Sequence, residues 1–403
     1  MRDLTRSLGR LFPTSAPSDT VSTVDQVARA FGGESVQRAD GTTILVEARQ
    51  PIASTDHELR GDLTDLLSLA GAAVDDPGSV VFLDIETTAL NAGAGTLVVV
   101  VGLGFYADDQ FVVRQYVLHD PANELAFLGA IAGELNRFTS VVTFNGKRFD
   151  LPLLEGRFHL NRRPVPFPVR HLDLLHPARR IWRRRLRQCS LGALESRILG
   201  VIRESDLLGA EVPDRYFAFL RDGEALAFRP VLAHNRQDVL TLARLAGRVD
   251  RMLSGQRVPV VGGSDLLGLG RLHEAHGRSA QAVACYQESL AGATTIERAE
   301  ALFRLAWLTR QAGDLEKAIE LFAAVAGFST RPAAFAAVEL AKYYEHQARN
   351  YALALSYTRR ALLLTDEASE AARNDLLRRI DRLEKRLRQP VDSLGKRRSE
   401  GTT

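Results

Sequence analysis

The chain has 403 residues, 45% of them hydrophobic, with 52 Lys and Arg against 49 Asp and Glu for a formal net charge of +3. This suits a globular protein of two or three domains, and the mild positive charge permits a nucleic-acid partner without arguing for one. The two cysteines, Cys189 and Cys285, are far apart and outside any C-x-x-C pattern, which excludes a disulfide framework or a zinc site and makes a reducing cytoplasm the expected compartment. No window reaches 18 apolar residues, so no membrane span or membrane partner is expected.

In chain order, residues 1–20 carry Arg2, Arg6 and Arg10 but no apolar run, and their Ser, Thr and Pro content predicts a flexible leader rather than a secretory signal. Residues 21–77 read as an N-terminal extension, with a helix near 24–31, a Gly32–Gly33 break and a short strand at 43–46. From residue 78 the signals sharpen. SVVFLDIE is a buried strand; TLVVVVGLGFYA and FVVRQYVL follow, separated by turn residues Asp108 and Asp109. PANELAFLGAIAGELNRF has helical spacing behind Pro121. SVVTFNG is a fourth strand ending at Asn145 and Gly146, and a helix starts near 149–152, where Pro152 fits a first turn. Three prolines, Pro164, Pro166 and Pro168, stiffen a connector into a short fifth strand at HLDLLH. Helices fill 177–253, the last opening near Pro230. The expected fold class is α/β: a mixed five-stranded sheet with flanking helices over 78–254, its first three strands antiparallel and the later two parallel to the first.

After Gly262 the strands stop. Gly277, Gly313 and Arg349 stand 36 apart, as do Ala282, Ala318 and Ala354. This predicts an all-α, tetratricopeptide-like helix-turn-helix repeat domain over 263–388, followed by a disordered tail at 389–403.

The first strand poses a chemical problem. Asp84 and Glu86 are two apart and share a face. Ionised carboxylates so close in an apolar strand repel each other and resist desolvation, and a hard divalent cation with oxygen ligands removes both objections; a frayed, solvated strand end is the bland alternative. Asp150 follows the fourth strand in TFNGKRFDLPLL, where it also suits a helix N-cap. His234 and Asp238, four apart in RPVLAHNRQDVLTLARLAGRVDRML, share a helix face, as a solvated pair would too.

Together, D-x-E on a first strand, N-x-x-x-F-D after a fourth and H-x-x-x-D on a late helix resemble the three motifs of the DEDD exonuclease superfamily on a ribonuclease H-like fold. The flanking HLDLLHPARRIWRRRL, SLGALE and HNRQDVLTLA are similar to the YprB-type group of ribonuclease H-like exonucleases. The resemblance implies that Asp84, Glu86, Asp150 and Asp238 hold two divalent ions, Mg²⁺ or Mn²⁺, with Asp84 bridging, and that the chain hydrolyses phosphodiesters. It implies catalysis by His234, which sits four residues before the last Asp, where the superfamily has Tyr, its His branch using position minus five. Ala89 stands where relatives usually have Gly.

Ten arginines crowd residues 156–187, with Trp182 among them and Asp173 the only acid there. Phosphates attract such a cluster and an aromatic can stack on a base, although Arg stems also cover apolar surface. Expected substrate-binding residues are Thr87, Thr88, Asn145, Lys147, Arg148, Arg180, Trp182, Arg183 and Arg184, acting on single-stranded DNA or RNA, with a protein partner on the helical repeats. Two rivals stay open: an adaptor with weak or no catalysis, and an endonuclease.

Overall fold

A seven-stranded mixed sheet, in the order β1-β2-β5-β4-β3-β6-β7, carries the first part of the chain. The computed structural model describes residues 20–388 apart from 54–55, 60–62, 72–76, 90–94, 169, 204–206, 257, 259–261 and 367–368. The expected leader (but for residue 20) and tail lie outside the described residues. The chain divides into two units: the described residues up to 179 with those of 186–260, and those of 180–185 with those from 262 onward.

In the first unit, β3 (Val80–Thr87) pairs antiparallel with β4 (Val98–Ala107), which pairs antiparallel with β5 (Gln110–Val117). On its other side β3 pairs in parallel with β6 (Ser140–Thr143), and β6 with β7 (Arg170–Asp173). These five strands have the expected directions. The count is seven because residues 34–51 are part of the sheet rather than an extension to it. There β1 (Glu34–Arg38) and β2 (Gly41–Pro51) form a hairpin, and β2 runs along β5 from Ile44 opposite Val117 to Pro51 opposite Gln110. Of β2 only Thr43 and Ile44 are fully buried, so this strand lacks the apolar run that marks the others.

The pleat sends alternate side chains of β3 to opposite layers. Val81, Leu83 and Ile85 join Val101, Leu103 and Phe105 in a core closed by α2 (Glu124–Leu135) and α3 (Asp150–Leu160). On the other face, Ile44, Val100 and Val117 pack with α1 (Thr20–Phe31), α5 (Val212–Asp222) and the start of α6 (Ala225–Leu253). Pro230 was expected near the start of α6; the helix begins five residues earlier and holds Pro230 within it. Between β7 and α5 lies α4 (Leu175–Trp182).

Among its described residues the second unit is helical: α7 (Gly263–Ala275), α8 (Ser279–Ser289), α9 (Thr295–Gln311), α10 (Leu315–Ala326), α11 (Arg331–His346), α12 (Tyr351–Leu364) and α13 (Glu370–Arg388). Gly277, Gly313 and Arg349, at the same place in three successive helix pairs, all take positive φ (70°, 91° and 53°). Glycine adopts that conformation freely; Arg349 carries a Cβ there. Ala282, Ala318 and Ala354 are each fully buried. The 36-residue period is thus a period of backbone conformation and of helix contact.

Candidate active site

The carboxylates of β3 face α6, and two glycines let that helix come close. In register, Gly102 of β4 lies opposite Asp84, and Gly104 opposite Phe82. A Cβ on Gly102 would run into the side-chain oxygen of Asn235 and lie 2.9 Å from a Val239 methyl; one on Gly104 would run into Val239. At that contact Asn235, fully buried, donates from Nδ2 to Asp84 Oδ2 at 2.9 Å, while its Oδ1 accepts from Gln115 Nε2 at 2.8 Å. Gln115 also donates to Leu232 O at 2.8 Å. Asp84 is therefore oriented by a hydrogen-bonded chain running from β5 through α6. Beyond Glu86 the β3–β4 register shifts, a bulge that re-aims side chains at the end of the strand.

Asp150 arrives by a different route. After β6 the chain turns through Asn145, whose φ is 63°. Asp173, at the end of β7, accepts the backbone N–H groups of Asn145 at 2.7 Å and Lys147 at 3.2 Å, and of Leu175 at 3.0 Å. That carboxylate ties the turn to the sheet and delivers Asp150 as the first residue of α3. Gly146 is needed there: a Cβ would sit 2.5 Å from Thr143 Cβ and 2.7 Å from Asp150 Oδ2. Asp150 does not cap its helix from outside; Phe149 holds the N-cap position with no side-chain capping bond.

Asp238 and His234 come from α6, with His234 Nε2 3.4 Å from Asp238 Oδ2. Arg203 stands between α6 and Glu195. Its Nη2 binds Asp238 Oδ1, its Nη1 lies 3.2 Å from His234 Nδ1, and its Nε donates to Glu195 Oε2 at 2.5 Å. A guanidinium has only donors, so His234 Nδ1 must accept, which leaves the ring proton on Nε2, toward Asp238.

Charge couples Asp84, Glu86 and Asp150 to Asp238. Burial raises the Asp84 carboxyl well above its usual range, and the negative charges of Asp238, Glu86 and Asp150 add to it. Burial does the same to Glu86, with Asp238 and Asp150 adding. Asp150 is pushed up to about 7 by burial and then by Asp173 and Asp238. Asp238 is also raised by burial, against the opposing pull of His234 and Arg203. Glu86 is 7% exposed, while Asp84, Asp150 and Asp238 keep part of their surface, as groups lining a recess would.

Four oxygen-rich, mutually repelling anions are the donor chemistry that a hard divalent cation requires. Among the described residues, however, no three His, Cys, Asp or Glu side chains are arranged to hold an ion as they stand. The charge fits a divalent cation, and one oxygen of Asp238 is held by Arg203.

The expected substrate contacts fare unevenly. Lys147 and Arg148 are exposed beside Asp150, with Arg148 5.9 Å from the ring of Phe149. Thr87 Oγ1 donates to Ala89 O at 2.8 Å, and Thr88 Oγ1 accepts from the N–H of Leu97 at 2.9 Å, so both hydroxyls brace the chain after β3. Trp182 is corrected outright: it is 1% exposed, buried with Ala178 and Ile181 on the apolar side of α4, and has no face for a base. Arg184 is paired with Glu300, and the neighbouring Arg185 with Asp265. Arg157 is likewise taken by Glu124, and Arg163 by Asp40. Arg180 and Arg183 are exposed. The basic run is therefore no continuous phosphate track: several of its cations neutralise acids of the fold.

Residues 81–249 match a family model described as the RNase H superfamily. The chain is 32% identical over 308 residues to a Bacillus subtilis (strain 168) protein named Uncharacterized protein YprB, a stretch covering 76% of this chain and 74% of that relative. The chain belongs to the RNase H superfamily. Within this RNase H-like domain the matched segment begins on β3 and ends in α6, so it spans all four acids.

Asn235, Gln115, Arg203, Glu195 and the two β4 glycines were missed as site residues. The readable signal was G-x-G inside an otherwise Val-rich strand directly after D-x-E, a pattern that marks close approach by another element.

Asp150 gives a pH dependence. Its carboxyl holds a proton up to about 7 when folded, against 3.8 ordinarily. The folded state thus binds more protons across that window, and stability falls as the pH rises from about 4 to about 7. In metal-free buffer Asp150→Asn should unfold later than wild type at pH 8, by on the order of 1–3 kcal/mol. The advantage should shrink toward pH 5, as read by urea denaturation at the two pH values.

Proposed function

We propose that the protein is a metal-dependent nuclease of the DEDD type, hydrolysing single-stranded DNA or RNA from the 3′ end. The observation that carries this reading is that Asp84 and Glu86 from β3, Asp150 from the start of α3 and Asp238 from α6 form one largely buried, mutually repelling set. Asp84, Glu86, Asp150 and Asp238 would hold two divalent ions, Mg²⁺ or Mn²⁺. When bound, the ions supply charge neutralisation at the scissile phosphate and at the leaving oxygen. His234 takes the proton of the attacking water through a ring nitrogen, an imidazole being a suitable base near neutral pH. Lys147 and Arg148, exposed beside Asp150, meet the phosphate backbone. Asn235 keeps the Asp84 carboxylate aimed, and Asp173 keeps the 145–147 turn in place.

End-labelled single strands should be shortened by the wild type with Mn²⁺. Asp84→Asn should be slower by at least about a hundredfold. Equal rates would remove the assignment, and cleavage of a circular strand would move it to an endonuclease.

A second reading has an observation of its own. Arg203 binds Asp238, and among the described residues no three ligands are arranged for an ion as they stand, as would suit an adaptor that binds nucleic acid without cutting it. Calorimetric titration with Mn²⁺ separates the two, because an adaptor needs no ion.

The helical unit we read as a tetratricopeptide-like docking module. A cavity of about 1020 Å³ between α11 and α13 is lined by Arg331, Lys342, Arg378, Arg379 and Arg382, against Asp366 and Asp375, with Phe335 half exposed among them. Lys342 pairs with Glu339, Arg378 with Asp375, and Arg379 and Arg382 with Glu345, so it is Arg331 beside the Phe335 ring that suits an acidic protein segment with an apolar anchor. A fluorescent Glu-rich peptide carrying one Leu should bind the wild type, and Arg331→Glu should weaken it by about tenfold. Anisotropy unchanged by that substitution would place any docking elsewhere.

A further inference from the structure

In the helical unit, residues 180–185 lie against α7 at two points. Gly268 is bare because a Cβ there would sit 2.5 Å from the carbonyl oxygens of Arg180 and Ile181. Asp265, fully buried, accepts Arg185 Nε at 2.9 Å and Nη2 at 2.7 Å. Arg271 follows Gly268 by three residues and shares its helix face, which sets it beside Arg180 and Arg184. From α9, Glu300 and Arg304 reach the same place.

Three guanidinium groups converge there on one carboxylate. Arg184 pairs with Glu300, Arg304 Nε lies 3.2 Å from Glu300 Oε1, and Arg271 Nη1 is 3.7 Å from that same oxygen, too far for a hydrogen bond. Glu274 is taken up by Arg304 at 2.8 Å and by the Tyr286 hydroxyl at 2.5 Å. Among the described residues nothing hydrogen-bonds the Arg271 side chain, and its Nε is buried without a partner. The exposed Arg180 side chain has neither a hydrogen bond nor an ion pair among them. Burial pulls the Arg271 guanidinium below its ordinary value against the attraction of Glu300, and the charges of Arg304, Arg184 and Arg180 add to that pull. A cation so placed, with an orphaned N–H, costs the fold stability, and the missing partner is an anion with several acceptor oxygens. A phosphodiester has two unesterified oxygens and accepts guanidinium groups in paired bonds, which is the recognition arginine serves better than lysine.

We propose that Arg271 and Arg180, with Arg184 and Arg304 beside them, form a phosphate site in the helical unit that holds the backbone of a single-stranded nucleic acid. The proposal rests on the nuclease reading for its partner and gives the helical unit a share in substrate binding. The sequence marks Arg180 and Arg184 by their crowding; Arg271 and Arg304, far along the chain, are brought to them by α7 and α9.

The test uses the full chain in EDTA, so that no strand is cut: labelled oligothymidylate by anisotropy over a range of salt, and urea unfolding. Arg271→Gln should weaken the oligonucleotide at least about fivefold and flatten the fall of log K with log salt by about 0.7, the share of one phosphate on a single strand. Its urea midpoint should hold or rise, because no hydrogen bond is lost and the crowding of cations is relieved. Arg180→Gln, at an exposed and unpaired position, should show the same loss of binding. Wild type that does not bind the oligonucleotide, either variant binding as the wild type does, or Arg271→Gln losing stability together with affinity as a residue of the fold would, overturns the proposal. So does a loss confined to inorganic tripolyphosphate or to a Glu-rich peptide, with the oligonucleotide unaffected: the first gives the site to a free phosphate, the second to a protein. The nuclease reading fails separately, by equal Mn²⁺ cleavage in wild type and Asp84→Asn, and the binding results in EDTA do not depend on it.

Discussion

Repulsion among buried carboxylates is the constraint around which this domain is arranged. A sheet face that buries Asp84 and Glu86 needs a partner layer able to come close, to orient the acids and to bring some positive charge. α6 meets each requirement: Val239 and Asn235 fit over the bare backbone of Gly102 and Gly104, Asn235 orients Asp84, and Glu195, braced by Gln237 and Thr241 of the helix, holds Arg203 against Asp238. Buried charges are tolerated when they are paired and hydrogen-bonded, and this set is only partly so. On the nuclease reading, the unbalanced remainder is the charge that a bound ion would offset.

Two of the positions that deliver the acids are strand ends, where a sheet stops satisfying its own backbone and side chains are free to point at a ligand. The β3 bulge after Glu86 and the turn after β6 are both of this kind. Asp173 shows the economy of the second: one carboxylate accepts three backbone N–H groups and so fixes a turn, a helix start and the approach of Asp150.

Much of this was legible in the sequence, for definite reasons. The buried strands β3, β4, β5 and β6 are short apolar runs bounded by turn residues, and the acids stand out against them. The 36-residue period was visible because its glycines answer a backbone need, and Arg349 shows that the need persists when the glycine does not. Of the β1–β2 hairpin only the short strand at 43–46 was read, and as part of an extension, because the partly exposed hairpin carries little apolar sequence beyond Ile44, Leu45 and Val46. Arg203 was invisible because a lone arginine in a polar loop carries no period; only the fold brings it to Asp238. Trp182 misled for the opposite reason. Among six arginines in nine residues it looked like a stacking platform, whereas an amphipathic helix had turned it inward. The arginines around it showed the same limit: sequence counts charges, and only packing tells which are already neutralised.

The central claim is that the recess formed by these acids lacks positive charge that a divalent ion would supply. Thermal unfolding of the wild-type chain at pH 8, with increasing Mn²⁺ and no nucleic acid, tests it most directly, since a ligand bound only by the folded state raises the midpoint by mass action. The account predicts a saturable rise of several degrees, of the size that ~1–2 kcal/mol produces. A midpoint that stays put up to millimolar Mn²⁺ would contradict it.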